Sequence, residues 1–255
     1  MDIKGNTIFI PGATSGIGLS LAVELQAKGN EVIVGGRRTR RLTQISDDHP
    51  GIHTIEIDTT DLESVRQATN RVLTEYPEVN VLVAMAGIMQ VEDWTSPDDA
   101  LTSAENTVTT NLLGPIRLIA GFIGHLQTRP DSTIMTVSSG LAFTPLKATP
   151  SYNATKAAIH MFSETLRLQL AGTSVKVMEL QPPSVATDLL PGQRESSFAM
   201  PLEEFIEEVI SLIESQPAAT EIQVERVKFL RYAEARGNYK ETVAALNSTD
   251  PHGNR

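Results

Sequence analysis

Residues 7–18 read TIFIPGATSGIG. A short β-branched and aromatic run, Thr7 to Ile10, stops at Pro11. Gly12, Gly16 and Gly18 then follow at GxxxGxG spacing, and a helical pattern begins. An apolar run of that length bounded by turn residues reads as a buried parallel strand. Glycines in the turn behind it let the backbone approach a neighbour closely, and the helix beyond offers free N–H groups and positive potential to an anion. A tight turn requiring positive φ gives the same pattern. The order of strand, glycine turn and helix at the extreme N-terminus favours a dinucleotide-binding unit.

Outward from that stretch the pattern repeats. EVIVG (31–35), HTIEI (53–57), VNVLVAMA (79–86), STIMTV (132–137) and SVKVMEL (174–180) are further apolar runs, separated by amphipathic stretches. Thr60 and Glu63 have the spacing of a capping box. Ser96 and Pro97 read as N-cap and first-turn proline, with Asp98 and Asp99 at the positive end of the helix. Pro201 opens a helix with Ile206, Val209, Ile210 and Ile213 on one stripe. Ala104–Leu126 and Ser151–Leu170 read as long helices with apolar residues on more than one side. Strand and helix alternate throughout, which predicts an α/β fold: a single doubly wound parallel sheet with helices on both faces. Residues 1–247 are expected to form one domain, with a lid at 188–200 and a flexible tail at 248–255.

Composition excludes several functions. The net charge of −10 argues against a nucleic-acid surface, and the one basic cluster is RRTRR at 37–41. There is no cysteine, hence no disulfide, thiol nucleophile or thiolate metal site. The five histidines show no metal-ligand spacing, and no metal is expected. No run approaches the ~20 apolar residues that span a bilayer, and no secretion signal is visible, so the cytoplasm is the expected location. The triplets beginning at Asn153 and Asn247 match the glycosylation pattern by chance on that reading.

In an open parallel sheet, ligands sit beyond the carboxyl ends of the strands. After the second run stands GGRRTRR, where an NAD-binding unit usually has an acidic residue for the ribose 2′-hydroxyl. Arg37 and Arg38 stand there instead. A guanidinium fork suits a 2′-phosphate, so NADPH is expected over NADH, with Arg37 the favoured contact and Arg40 and Arg41 a solvated helix start. Asp58, followed by Thr59, either accepts from an adenine amino group or caps the helix behind it. Gly87 allows close backbone approach, Ser139 follows the fifth run, and Tyr152 stands thirteen residues later. Pro182 and Pro183 stiffen the exit of the sixth run, with Val185 and the Thr187 hydroxyl beyond.

PGATSGIG, AMAG, Asn111 in TTNLLGP, Ser139, Tyr152-x-x-x-Lys156 and PPSVATDL fall in the order and spacing of the short-chain dehydrogenase/reductase superfamily, which the chain resembles over about its first 190 residues. SGLAF, YNATKAAIH and PPSVATDL look most like its bacterial DltE-like oxidoreductases. The resemblance implies a Rossmann-type fold and a role for each matched residue. Gly12, Thr14, Ser15, Gly16, Ile17 and Gly18 would hold the pyrophosphate and adenosine, Arg37 and Arg38 the 2′-phosphate, and Asp58 and Thr59 the adenine. Ala86, Gly87, Pro182, Val185 and Thr187 would border the nicotinamide half. Ser139 would bind the substrate oxygen, Tyr152 pass the proton, Lys156 hold the nicotinamide ribose, and Asn111 hold a relay water. Three positions depart from the family pattern: Pro11 replaces a threonine, Ala84-Met85-Ala86-Gly87 replaces NNAG, and Pro182-Pro183 replaces Pro-Gly. The second removes an asparagine that ties strand ends together beside the cofactor.

A free phenol has a pKa near 10, too high for efficient proton transfer at neutral pH. The expectation is that Lys156, four residues on along a helix, pulls Tyr152 down. Leu189, Leu190, Phe198 and Met200 in the lid, with Met89, Leu141 and Phe143, suggest an apolar pocket for a neutral, moderately hydrophobic ketone or aldehyde. Only Arg194 or Lys147 offers an anion clamp, and Trp94 packs on a loop or borders the substrate. The alternatives are a 3-oxoacyl or polyketide-type ketoreductase, for which no basic entrance patch is seen, and an NADPH-sensing protein without turnover. A homodimer or homotetramer is expected from the long helices and the resemblance, with no nucleic-acid or membrane partner.

Overall fold

A computed structural model describes residues 1–248, apart from the side chains of Pro97 and Asp98. The predicted tail beyond Ser248, and the triplet ending at Thr249, lie outside the described residues. The strands are β1 (Thr7–Pro11), β2 (Glu31–Gly36), β3 (Ile52–Glu56), β4 (Val81–Ala84), β5 (Ser132–Val137), β6 (Val175–Leu180) and β7 (Glu221–Ile222). Between and after them run α1 (Gly16–Ala27), α2 (Thr39–Asp48), α3 (Leu62–Glu75), α4 (Pro97–Val108), α5 (Gly114–Leu126), α6 (Pro150–Leu170), α7 (Leu202–Ser215), α8 (Lys228–Arg231) and α9 (Tyr239–Ser248). All strand pairs are parallel, in the order β3-β2-β1-β4-β5-β6-β7. The order reverses between β1 and β4, which opens a crevice above the carboxyl ends of those strands.

The side-chain period of two divides each strand between two cores. In β1, Ile8 and Ile10 join the layer under α1, α2 and α7, with Leu21, Leu25, Ile206 and Ile213. Phe9 points the other way, into the layer under α3, α5 and α6, and its ring lies 5.5 Å from Phe122. Both faces of the sheet are therefore dry at its centre, where β1, β4 and β5 are buried throughout, while the edge strand β3 leaves His53 and Glu56 exposed.

Four local readings differ from expectation. The helix start read at Thr60 lies one residue later. Asp61 is the N-cap of α3 and accepts from Glu63 N at 2.8 Å, while Glu63 pairs with Arg66 rather than closing a capping box. Ser96 does precede α4, but its hydroxyl makes no cap bond. The long helix expected over 104–126 begins earlier, at Pro97, and carries a π turn at Thr109–Leu113 between α4 and α5. A π turn adds one residue to the helical circuit and turns the side chains that follow. Here it buries Asn111. Ser248 ends α9 rather than starting a tail.

Candidate active site

The glycine turn closes on strand β4. Gly12 has φ +89°, and a Cβ there would stand 2.6 Å from the Ala86 Cα, so only glycine fits both the conformation and the approach. Gly16 has φ +55° and faces Thr187, whose methyl would lie 3.4 Å from an added Cβ. Ser15 is the N-cap of α1 and makes no side-chain bond to the helix's own first turn. The turn, the start of α1 and the exits of β4, β5 and β6 enclose a cleft of about 450 Å³. Gly12, Ser15, Gly16, Ile17, Gly18 and Gly87 line its near end. Ser139, Tyr152, Lys156, Pro182, Val185 and Thr187 line the rest. Glycine backbone at a helix N-terminus beside a long cleft fits a dinucleotide pyrophosphate.

The remaining candidates stand behind or beside the cleft. Arg38 reaches over the turn and donates from Nη2 to Thr14 Oγ1 at 2.5 Å and Ser15 Oγ at 3.3 Å. Arg37 turns instead to Asp58, 3.7 Å away. Arg41 donates to the Thr14 carbonyl at 3.3 Å, so it is no plain solvated residue. Asp58 Oδ1 takes both the N–H and the hydroxyl of Thr60. Burial works against its charge, but these bonds and the Arg37 guanidinium outweigh burial and hold the carboxyl below the usual value. Thr59 is buried against Gly114 at the start of α5.

The chain beyond the AMAG segment is held by a side chain from the π turn. The amide of Asn111 grips the chain just after that segment: Oδ1 accepts from Ile88 N and Nδ2 donates to Ile88 O, both at 2.8 Å. Nδ2 also reaches Thr155 Oγ1 at 3.4 Å. Met85 turns its sulfur toward Gly18 and lines the cleft. The Asn111 side chain thus ties strand exit to helix, and both its amide hydrogens are engaged.

Tyr152 and Lys156 rise from α6 toward the exit of β5. The phenol is 7% exposed and hydrogen-bonds with Ser139. Lys156 donates from Nζ to Val137 O at 2.8 Å, and the ammonium lies 5.4 Å from the centre of the Tyr152 ring. Here the expected electrostatics are corrected. Burial is the larger effect and pushes Tyr152 up to about 12, opposed only by the Ser139 bond. Burial likewise lowers Lys156 to about 8, opposed by Glu179. The ammonium is itself desolvated and bonded to a carbonyl, so it does not bring the phenol down; Tyr152 holds its proton at neutral pH.

A second cleft, of about 150 Å³, adjoins the first and is mostly apolar. Met89, Leu141, Leu189, Phe198, Leu230 and Leu246 are among its walls, and Ser139 and Tyr152 line it too. Leu230 and Leu246 come from the C-terminal helices, beyond the motifs that could have flagged them. Phe143 packs edge-on against His160 at 4.6 Å instead. Arg194 offers no anion clamp: it is bonded to Asp188, Nε to Oδ1 at 2.7 Å. Trp94 is half exposed and donates to Glu92 at 3.0 Å. That carboxylate, unremarked in the sequence, also accepts from Ser151 N and Oγ at the first turn of α6.

The short chain dehydrogenase family matches residues 6–197. The chain belongs to that family. It is 38% identical, over 98% of its own length and all of the other's, to DltE of Bacillus subtilis, an uncharacterized oxidoreductase. It is 28% identical to 11-beta-hydroxysteroid dehydrogenase A of Sesamum indicum, over 75% of this chain and 56% of that one. A short chain dehydrogenase from Burkholderia cenocepacia, solved in complex with NADP, superposes with a TM-score of 0.80 at 24% identity, covering 96% of this chain and 99% of that one. The DltE-like, Rossmann-type α/β architecture is thereby shown, and the chain is an NAD(P)-dependent short-chain oxidoreductase. No helix among the described residues is long and apolar enough to cross a membrane.

Proposed function

We propose that the protein is an NADPH-dependent reductase of neutral, moderately hydrophobic ketones or aldehydes. The observation that carries this reading is that Ser139 and Tyr152 line both clefts, the one headed by the glycine turn and the small apolar one. A group held between them meets a hydroxyl donor and a proton-bearing phenol at one point. The reduced dinucleotide, when bound, supplies hydride to the carbonyl carbon. Lys156 would hold its nicotinamide ribose, Thr187 its carboxamide, the turn residues 12–18 its pyrophosphate, and Arg38 with Arg37 its 2′-phosphate. Ser139 accepts from Leu141 N at 3.1 Å, which fixes its oxygen so that its own hydrogen is free to turn to the substrate oxygen. Tyr152 then delivers its proton to that oxygen. Burial keeps the phenol protonated, the form that donates to a carbonyl oxygen. The hydroxysteroid named in the sesame relative is an alcohol on an apolar frame, in keeping with this class. The test is a fluorescence titration with NADPH and NADH, followed by a screen of ketones and aldehydes for NADPH oxidation. Tighter binding of NADH, or turnover confined to anionic substrates, would sink the reading.

The segment Asp188–Met200 acts in this reading as a lid. Its base is clasped where Val185 pairs with Met200, with Ala186 N donating to Met200 O at 2.8 Å, while Leu189 and Phe198 turn into the apolar cleft. A pH profile checks the acid–base assignment. Reduction should be flat below about pH 7 and fall as Lys156 loses its proton near 8. Lys156→Arg, whose guanidinium stays charged, should flatten that fall. An alkaline limb unchanged by this substitution would assign it to another group.

Leu101 and Val108 stand seven apart on α4, and Met161 and Leu168 seven apart on α6, all exposed, Leu168 at 78%. Paired stripes of this kind fit a second copy of the chain, as a homodimer or homotetramer. Met161→Glu with Leu168→Glu should reduce the particle mass in light scattering at least twofold. A monomeric wild type would refute the assembly.

A further inference from the structure

Three consecutive residues at the exit of β5 are tied to one face of α6, the outer two directly and the middle one through β6. Lys156 donates to the Val137 carbonyl. Tyr152 bonds with the Ser139 hydroxyl. Between these two, Ser138 donates its hydroxyl to Oε1 of Glu179 on β6. Glu179 is in turn held by Nδ1 of His160, 2.9 Å from Oε2 and 3.1 Å from Oε1. Tyr152, Lys156 and His160 are spaced four apart and form one stripe along the helix. Glu179 is fully buried between Met178 and Leu180, where a carboxylate persists only if paired and hydrogen-bonded.

We propose that Glu179 and His160 are positioning residues: a buried ion pair that locks the Ser138–Ser139 strand exit to α6, in the register that brings Ser139, Tyr152 and Lys156 together. The proposal rests on the carbonyl-reductase reading above.

The surroundings support the charged form of the pair. On α6, Glu164 lies 3.8 Å from His160 Nε2, and Lys156 is one turn away. Just past β6, the Gln181 side chain adds a small influence that favours the charge on Glu179. On β7, Glu221 stands beside Glu179 in the sheet. From α8, Arg231 pairs with Glu221 at 3.3 Å and covers the Phe143 ring that meets His160. The Glu179 bond raises His160 above its usual value, with burial and Arg231 opposing. Burial works to raise Glu179, but the bonds from His160 and Ser138 outweigh it and hold the carboxyl below the usual value. Glu179 also supports the charge on Lys156 against burial. His160, Glu179 and Glu221 offer ligand atoms within 4.8 Å of one another. Yet Ser138 and His160 already donate to Glu179, and the Arg231 guanidinium neutralises Glu221, so the cluster is complete without a cation.

Glu179→Gln keeps the shape and removes the charge. In 15N imidazole spectra, wild-type His160 should stay cationic above the usual histidine range, and in Glu179→Gln its titration should move down. With NADPH, kcat should fall by about 10- to 100-fold, as small misplacements of reacting groups do. The Kd for NADPH should stay within about threefold, and the alkaline limb should move to lower pH. His160→Asn, which keeps an N–H donor near the Nδ1 position, should recover most of the rate lost in His160→Ala. A lowered Tm with unchanged kcat and pH profile overturns the proposal, as does equal loss in His160→Asn and His160→Ala. Should Glu179→Gln not fold, Ser138→Ala removes only the link to the strand exit; an unchanged kcat there overturns the proposal. A wild type without carbonyl turnover refutes the carbonyl-reductase reading and this role together, whereas an active wild type with unaffected variants refutes this role alone.

Discussion

Tyr152→Phe should lower kcat for NADPH-driven carbonyl reduction by about 10²- to 10⁴-fold, the range a positioned general acid contributes. NADPH affinity should change by less than about twofold. The substitution keeps the buried ring and its place 5.4 Å from the Lys156 ammonium, and removes only the hydroxyl that bonds with Ser139 and carries the proton. Both clefts lose their one shared acid at once. Burial pushes the phenol up to about 12, so at neutral pH it carries the proton that this role requires. Stopped assays of ketone reduction, with NADPH fluorescence as the control for folding and cofactor binding, decide the matter. A variant within tenfold of wild type would remove Tyr152 from the mechanism. A variant that loses NADPH binding as well would make it a structural group.

What could be read in the sequence follows from which interactions are local. The six buried runs announced six strands because a sheet covered on both faces needs uninterrupted apolar segments. β7 escaped because its Glu221–Ile222 pair is too short to show a pattern beside Gln216-Pro217. The stripe on α7 was visible since it faces one core only: Ile206, Val209, Ile210 and Ile213 are all buried. The shift of the α3 cap from Thr60 to Asp61 was not visible, since either side chain could serve and Asp58 claims Thr60 first.

At the site, those of the marked residues that line the main cleft come from five separate segments, because parallel strands bring their exits to one edge. What stayed hidden is how each side chain is engaged. The sequence favours Arg37 as the phosphate contact, whereas the fold turns Arg37 to Asp58 and lays Arg38 over Thr14. The π turn that buries Asn111 leaves no trace in TTNLLGP. The pull of Lys156 on Tyr152 was a reasonable inference from spacing, but spacing carries no information on desolvation, and at this depth desolvation wins. Nothing in VKVMEL marks Glu179 as paired, because its partners, Ser138 and His160, lie on other elements.

Arg37→Ala with Arg38→Ala should shift the ratio of NADPH to NADH affinity by about 10²-fold or more. A hydrogen bond to a charged group contributes about 1.5–3 kcal/mol, so each guanidinium that meets a 2′-phosphate accounts for roughly ten- to hundredfold in Kd. The two arginines should differ. Arg38 lies over Thr14 and Ser15 of the glycine turn, which heads the mouth of the cleft. Its removal alone should raise the NADPH Kd about tenfold or more and leave NADH within about threefold. Arg37 sits 3.7 Å from Asp58, and its removal leaves that carboxylate uncompensated beside the same mouth. The penalty should then be repulsion of the phosphate, so adding Asp58→Asn to Arg37→Ala should restore much of the NADPH affinity, whereas it should do little for Arg38→Ala. Titrations at low and moderate salt read all of this, since loss of phosphate contacts also flattens the salt dependence. A parallel loss of NADPH and NADH affinity would mean that the arginines only brace the turn, and equal affinity for the two cofactors in the wild type would assign the specificity elsewhere.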